Sequence, residues 1–327
     1  MNLGTIGTNW ITDLFIDAAK QTKGLNLTSV YSRTEQSAKK FAGKHGIDDY
    51  FTDLDVMAQS ELIDCVYIAS PNSLHYEQAL LFLKNKKHVI CEKPIFSNTR
   101  ELDIAHRVAE ENDVFLFEST RNLHLPNFKR LKESVEKVGK VRNVFLHRIK
   151  YSSRYDDVLK GEVPNIFSPE YSGGALVDLG VYPISIAVSL FGYPEDLDYS
   201  PVLLNTGVDG GGTLVLNYKD FTCTIIFSKI STSFNDSEIN GEKATISIDD
   251  IGSLTNLKLT NIHSKQTIPI GIEQSENDMV YEVENFVRII ESKNKDEYIN
   301  LKKVSRDVLT ITETARQQND IVYSCEK

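Results

Sequence analysis

His88-Val89-Ile90-Cys91-Glu92-Lys93-Pro94 reads as a short apolar strand that delivers an acid, a lysine and a proline at its carboxyl end. In an open α/β sheet the chemistry sits over the carboxyl ends of the strands. A lysine so placed has its stem held by the strand while its ammonium reaches past the sheet edge, where it can polarise a hydroxyl or carbonyl oxygen. Lys93 is therefore the first candidate catalytic residue.

Around this strand the first 120 residues alternate apolar runs with amphipathic helical patterns, the order a doubly wound parallel sheet requires. Strands are predicted at Leu3–Ile6, Leu27–Tyr31, Cys65–Ala69, His88–Cys91 and Val114–Phe117. Ile11, Leu14, Phe15 and Ala18 recur at helical spacing between the first two, and Gly24 marks a stop. Further helices are predicted near Leu74–Leu83 and Arg100–Glu110, the latter capped by Asn98 or Thr99. After Pro126 the pattern changes. A helix over Asn127–Lys137 precedes a strand through Val141–Ile149, and strand-like alternation over Thr213–Tyr218, Thr222–Phe227 and Ala244–Ile248 predicts a mainly antiparallel sheet. Helices Val280–Glu291 and Ser305–Gln317 close the chain. The expected fold is α/β: a Rossmann-type domain over 1–120 and an α+β domain with an open sheet over 121–327.

Length and charge agree with two domains and narrow the partners. The 327 residues exceed the usual size of one core, and 46 acids against 36 Lys plus Arg give a net charge of -10. That negative surface repels phosphate backbones and anionic lipid, so nucleic acid and membranes are not expected partners. No apolar stretch is expected to approach the roughly 18 to 20 residues needed for a membrane span, and the first residues lead straight into a strand without a basic region before an apolar one. A cytoplasmic protein is expected. Cys65, Cys91, Cys223 and Cys325 are scattered without metal-ligand spacing, so no metal site is predicted.

Gly7-Thr8-Asn9-Trp10-Ile11 lies where the first strand hands over to the first helix, the position of a dinucleotide pyrophosphate turn. The glycine fingerprint is incomplete, with Asn9 at its second position and Thr12 at its last, and an Asn there narrows the space for a pyrophosphate. At the end of the second strand Ser32 and Arg33 stand where an acid would grip the ribose 2'-hydroxyl of NAD. A hydroxyl and a cation suit the 2'-phosphate of NADP, so NADP is preferred, with NAD as the alternative. Ser70, Asn72 and His75 form a polar shelf after the third strand, beside the place of the nicotinamide half. His75 reads equally well as a buried structural histidine.

Taken together these residues resemble the Gfo/Idh/MocA family of NAD(P)-dependent oxidoreductases over essentially the whole chain. The likeness is carried by the turn at Gly7, by Ser70-Pro71-Asn72 with His75, by Glu92-Lys93-Pro94, and by Gly173-Gly174-Ala175-Leu176-Val177-Asp178-Leu179-Gly180-Val181-Tyr182-Pro183. Tyrosine at 182, where many members carry histidine, looks more like the branch of dihydrodiol dehydrogenases and glucose-fructose oxidoreductases. The resemblance implies a cis peptide before Pro94, Glu92 beside the cofactor ribose, and an open sheet that often builds oligomers, here a homodimer.

Hydride transfer to or from a secondary alcohol also moves a proton, which Tyr182 can carry if a cation such as Lys93 lowers its pKa. Asp178, four residues earlier, either orients the substrate hydroxyl or holds Lys93. The plainer alternative makes Asp178 a helix cap and Tyr182 a core aromatic. Arg121 and the segments Tyr151–Tyr155 and Val163–Phe167, with Asn165, are the candidate contacts for a small polyhydroxylated substrate. The expected activity is an NADP(H)-dependent dehydrogenase or reductase of a sugar, polyol or cyclic diol. Two alternatives are a nucleotide-sensing protein that catalyses nothing on the same fold, and an enzyme that recycles a tightly held cofactor.

Overall fold

A computed structural model describes all 327 residues. The first half of the chain runs β1 (Asn2–Ile6), α1 (Trp10–Gln21), β2 (Asn26–Tyr31), α2 (Glu35–His45), β3 (Asp49–Phe51), α3 (Leu54–Gln59), β4 (Cys65–Ile68), α4 (His75–Lys84), β5 (His88–Glu92), α5 (Thr99–Glu111) and β6 (Leu116–Ser119). All pairs are parallel in the order β3-β2-β1-β4-β5-β6. The order reverses between β1 and β4, so their carboxyl ends open the crevice in which such sheets bind ligands. Asn98 is the cap of α5, its side chain accepting from Glu101 N at 3.0 Å.

Two local readings shift for physical reasons. The last strand starts at Leu116 rather than Val114, because Val114 N still closes α5 on Ala109 O at 3.0 Å and Asp113 turns the chain at a φ of 53°. Helix α2 escapes the periodicity because only Ala38, Phe41 and Ala42 are buried on an otherwise polar helix; its start is set by Thr34, which accepts from Ser37 N.

The second half contributes α6 (Pro126–Val135), β7 (Val141–Ile149), α7 (Tyr155–Leu159), α8 (Val181–Phe191), β8 (Asp196–Leu203), β9 (Asp209–Asn217), β10 (Thr222–Ser228), β11 (Ser237–Gly241), β12 (Ala244–Ile248), β13 (Leu257–Asn261), β14 (Thr267–Pro269), α9 (Met279–Ser292) and α10 (Lys295–Gln317). The eight strands form one sheet in the order β14-β13-β12-β11-β7-β10-β9-β8, antiparallel throughout except for the parallel pair β7–β10. Strand β8, not predicted, is an edge strand that tolerates Pro201 and exposes Asp196 and Asp198 while burying Leu197 and Tyr199.

Pro169–Phe191 corrects one expectation. This run is long and apolar enough, at a mean hydropathy of 1.7, to cross a membrane by length and composition, but 72% of its most apolar window is buried inside the protein. Its apolarity is that of a core helix. The run covers the sheet face carrying Cys223, Ile225 and Phe227, with Gly180 against the Phe227 ring, so a helix of the same chain rather than a partner sheet buries those side chains.

The chain divides into two compact units, Met1–Ser119 with Asn277–Ser305, and Thr120–Glu276 with Arg306–Lys327. Residues after 120 are expected together, yet α9 returns to the first unit. It buries Met279, Val283, Phe286 and Ile290 with Leu3, Phe15, Tyr67 and Phe117, where Phe15 and Tyr67 stack at 3.7 Å between ring centroids and Phe117 and Phe286 at 4.6 Å. Helix α10 begins ten residues before its predicted start. Its first half is polar, but Asn294 accepts from Glu297 N and Tyr298 is buried, which fixes a helix that periodicity alone does not show.

Candidate active site

In the first unit the turn from β1 to α1 is shaped by Gly7, whose φ is 110° and where a Cβ would lie 2.7 Å from Ala69 O. No other residue fits so close to the end of β4. Asn9 is the helix cap: its Oδ1 accepts from Ile11 N at 3.1 Å and Thr12 N at 3.2 Å, while its Nδ2 donates to Ala69 O at 3.0 Å. The residue in the second glycine position is thus tied into the turn and takes two of the first-turn donors, leaving Trp10 N outside this cap. Thr8 and Trp10 are exposed at the mouth of the turn.

At the end of β2, Ser32 N donates to Phe51 O and Arg33 is exposed. The nearest acid along the chain, Glu35, is engaged by Lys39 at 2.8 Å and by the Tyr50 hydroxyl, which hold its carboxyl below the usual range. A guanidinium without a competing carboxylate favours a phosphate ester over a bare ribose hydroxyl.

Beyond β4, Ser70 Oγ donates to Gln78 Oε1 at 2.7 Å, and Asn72 opens a short 3-10 turn after Pro71. His75 is buried, with Nε2 2.9 Å from Ser70 O and Nδ1 3.1 Å from Pro94 O. Burial pushes this imidazole below its ordinary range while the backbone carbonyls pull it up. Both ring nitrogens face the protein, so of the two readings of His75 the geometry favours the structural one: it ties the Ser70 shelf to the residue after Lys93.

The Lys93-Pro94 bond is cis. Glu92 is buried and accepts from the Tyr67 hydroxyl at 2.7 Å, and burial followed by the Glu92 charge raises that phenol well above its usual range. A second acid, not singled out from sequence, supports the turn. Glu118 accepts from Ile95 N at 3.0 Å through Oε1 and from Ser305 Oγ at 2.5 Å through Oε2. Burial, reinforced by the Glu92 charge, pushes its carboxyl up to about 7, against the hydrogen bonds and Lys93, which lower it. Its only sequence signal is an acid at the carboxyl end of the neighbouring strand.

In the second unit Asp178 lies in a π-helical turn, Leu176–Gly180, that leads into α8. Asp178 does not cap that turn. Leu176 N donates instead to the buried Asp209 at 2.7 Å, which also accepts from the Tyr199 hydroxyl at 2.9 Å. Within this unit Asp178 is paired with Lys229, whose Nζ lies 2.6 Å from Oδ2, a partner that sequence reasoning did not name. Lys229 follows directly on β10 and is buried; a lysine closing an apolar strand was its one visible signal.

Tyr182 sits in the first turn of α8, 9% exposed, with the Arg148 guanidinium 5.3 Å from its ring centroid. Arg148 is itself paired with Asp250, and that pairing keeps the Asp250 carboxyl low against the opposing effect of burial. Asn122, fully buried, donates to Tyr182 O at 3.1 Å and Ile251 O at 3.2 Å, fixing the backbone from which the phenol projects. Arg121 precedes it in a 3-10 turn, and Asn165 is exposed in another. No group of three or more His, Cys, Asp or Glu side chains is arranged to hold a metal ion.

A doubly wound parallel sheet with a pyrophosphate-type turn, joined to a mixed-sheet unit carrying an Asp and a Tyr on one buried helix, defines a dinucleotide-dependent oxidoreductase. Residues 1–120 match the model of the oxidoreductase family with an NAD-binding Rossmann fold, and residues 128–247 match the GFO/IDH/MocA C-terminal domain. The chain belongs to the Gfo/Idh/MocA family of oxidoreductases. It is 44% identical over 322 residues to scyllo-inositol 2-dehydrogenase (NADP(+)) IolU of Bacillus subtilis, covering 98% of each chain. It is 40% identical to the uncharacterized oxidoreductase YgjR of Escherichia coli, over 100% of this chain and 98% of that one, and 27% identical to a trans-1,2-dihydrobenzene-1,2-diol dehydrogenase of Danio rerio, over 91% and 90%. Among solved structures, the 3-ketoreductase KijD10 of Actinomadura kijaniata superposes with a TM-score of 0.82 at 20% identity, covering 97% of this chain and 96% of that chain, a likeness of fold.

Proposed function

We propose that this enzyme is an NADP(H)-dependent dehydrogenase of a cyclic polyol, with scyllo-inositol or a related inositol as the first substrate to try. The observation that carries this reading is the end of β5, where a buried Glu92, Lys93 and a cis Pro94 are braced by His75 and Glu118, on a chain 44% identical to a scyllo-inositol dehydrogenase. NADP over NAD is supported by Arg33 at an acid-free strand end.

Gly7, Thr8, Asn9, Trp10 and Ile11 would hold the pyrophosphate, Ser32 and Arg33 the 2'-phosphate, and Ser70, Asn72 and Glu92 the nicotinamide half, with His75 supporting rather than touching it. A bound NADP would supply the hydride acceptor for the carbinol carbon, or the donor in the reverse direction. Tyr182 takes the hydroxyl proton, Lys93 stabilises the resulting charge, and Asp178 orients the hydroxyl. Arg121 and Asn165 are assigned to the remaining hydroxyls. The reading includes a cytoplasmic homodimer formed through the sheet face opposite α8.

The test follows the fluorescence of Trp10, the chain's single tryptophan, during titration with NADPH and NADH, then turnover of scyllo-inositol with NADP+. Binding together with turnover supports the dehydrogenase. Binding without turnover across a panel of polyols and diols would favour the nucleotide-sensing alternative, and nucleotide that copurifies with the protein would favour the recycling one.

A further inference from the structure

Lys229 makes more connections than a structural lysine needs. Its side chain is buried, and a buried ammonium is retained at low cost only when its donors are met. Here Nζ lies 2.6 Å from Asp178 Oδ2, donates to Ile166 O at 3.1 Å and sits 4.6 Å over the Phe167 ring. The same Ile166 carbonyl accepts from Gly174 N at 3.1 Å, and Gly173 lets the segment lie close, since a Cβ there would be 2.7 Å from Asn165 O. The Lys229 main chain extends the network: its N–H donates to Gly210 O at 2.8 Å and its carbonyl accepts from Ser152 N at 2.8 Å. One residue therefore joins the turn carrying Asp178, the Asn165–Phe167 segment and the loop that begins at Tyr151.

We infer that Lys229 is a positioning residue, which fixes the Asp178 carboxylate and the Asn165 segment in one register and so sets how the substrate alcohol is presented. Its catalytic consequence rests on the dehydrogenase reading; its geometric consequence does not. An ion-paired carboxylate stays charged and keeps one rotamer. Without the ammonium, Asp178 protonates more easily and the 163–167 segment loses its side-chain tether, whereas the main-chain bond to Ser152 persists.

The test compares wild type, Lys229→Met, Asp178→Asn and the double variant, with scyllo-inositol and NADP+ as the probe. Lys229→Met is expected to lower kcat/KM about 100-fold, as loss of alignment at a reacting group does. The acid limb of its pH profile should move upward, and NADPH titration should stay within about twofold of wild type. Since the lysine acts through Asp178, the double variant should be no slower than Asp178→Asn alone. Turnover of Lys229→Met within threefold of wild type, or losses that multiply in the double variant, overturn the inference. If Lys229→Met does not fold, the double variant, which removes both charges, is compared with Asp178→Asn, and multiplied losses again overturn it. Hydrogen exchange supplies an arm independent of activity: residues 163–167 and Gly174 should exchange about tenfold faster in Lys229→Met than in wild type, with the first unit unchanged. Absence of inositol turnover by wild type counts against the dehydrogenase reading; unchanged exchange at 163–167 counts against Lys229.

Discussion

Glu118 accepts the main-chain N–H of Ile95 at 3.0 Å and thereby holds the residue that follows the cis Lys93-Pro94 pair. The same carboxyl takes the Ser305 hydroxyl, so one side chain braces the Lys93 turn from behind. Burial raises its pKa to about 7, above the ordinary carboxylate value, which means that the fold favours its protonated form.

The sign follows from linkage. A carboxyl raised in the folded state contributes most stability at low pH and loses it as pH climbs from its unfolded value towards 7. Glu118→Gln mimics the protonated form and keeps an acceptor for Ile95 N, so the variant should gain on wild type between pH 5 and pH 8 by about 1 kcal/mol or more. Urea unfolding of both proteins at the two pH values measures this. A stability difference independent of pH would show that Glu118 does not titrate in that window.

Arg33→Ala should weaken NADPH binding about 10- to 100-fold, the range expected for a lost charge-assisted contact, while NADH affinity changes by less than about threefold. Parallel titrations of Trp10 fluorescence read both numbers. Equal losses for the two nucleotides would move Arg33 from the 2'-phosphate to a general role.

Asn9 offers two separable effects. Asn9→Ala removes a helix cap and should cost about 1 kcal/mol of stability, whereas Asn9→Gly should cost only a few tenths. Asn9→Gly also releases Ile11 N and Thr12 N and supplies the missing fingerprint glycine, so NADPH should bind it several-fold more tightly than wild type. Thermal unfolding and the same fluorescence titration check the pair; unchanged affinity in Asn9→Gly would mean that the cap does not compete with the nucleotide.

The parts of this fold that sequence made legible are those in which one local pattern carries the information. Strand β4 is a continuous apolar run buried on both faces, β1 and β5 are buried over four of their five residues, and β12 alternates cleanly, so each could be placed within a residue. The return of α9 to the first unit is a choice between two cores, and its apolar stripe suits either. The site divides in the same way. Lys93, Asp178 and Tyr182 stand in short motifs, but Lys229 is 51 residues from the aspartate it pairs with, and Asp209 caps a turn 33 residues before it. Such long-range partners leave no local signature in the sequence.

On the proposed reading, Tyr182→Phe separates proton transfer from the packing around the ring. The ring stays beneath the Arg148 guanidinium, and the Tyr182 carbonyl keeps its bonds from Asn122 and from Ser185 Oγ at 2.8 Å, so the variant should fold and bind NADPH as wild type does. Loss of an acid/base group at the reacting oxygen should lower kcat by about 100- to 10,000-fold. Lys93→Ala should give a similar loss in turnover if the two side chains share one proton-transfer function. Steady-state kinetics with scyllo-inositol and NADP+ would decide it: a Tyr182→Phe enzyme that retains wild-type kcat would remove the phenol from the mechanism and leave Lys93 to move the proton alone.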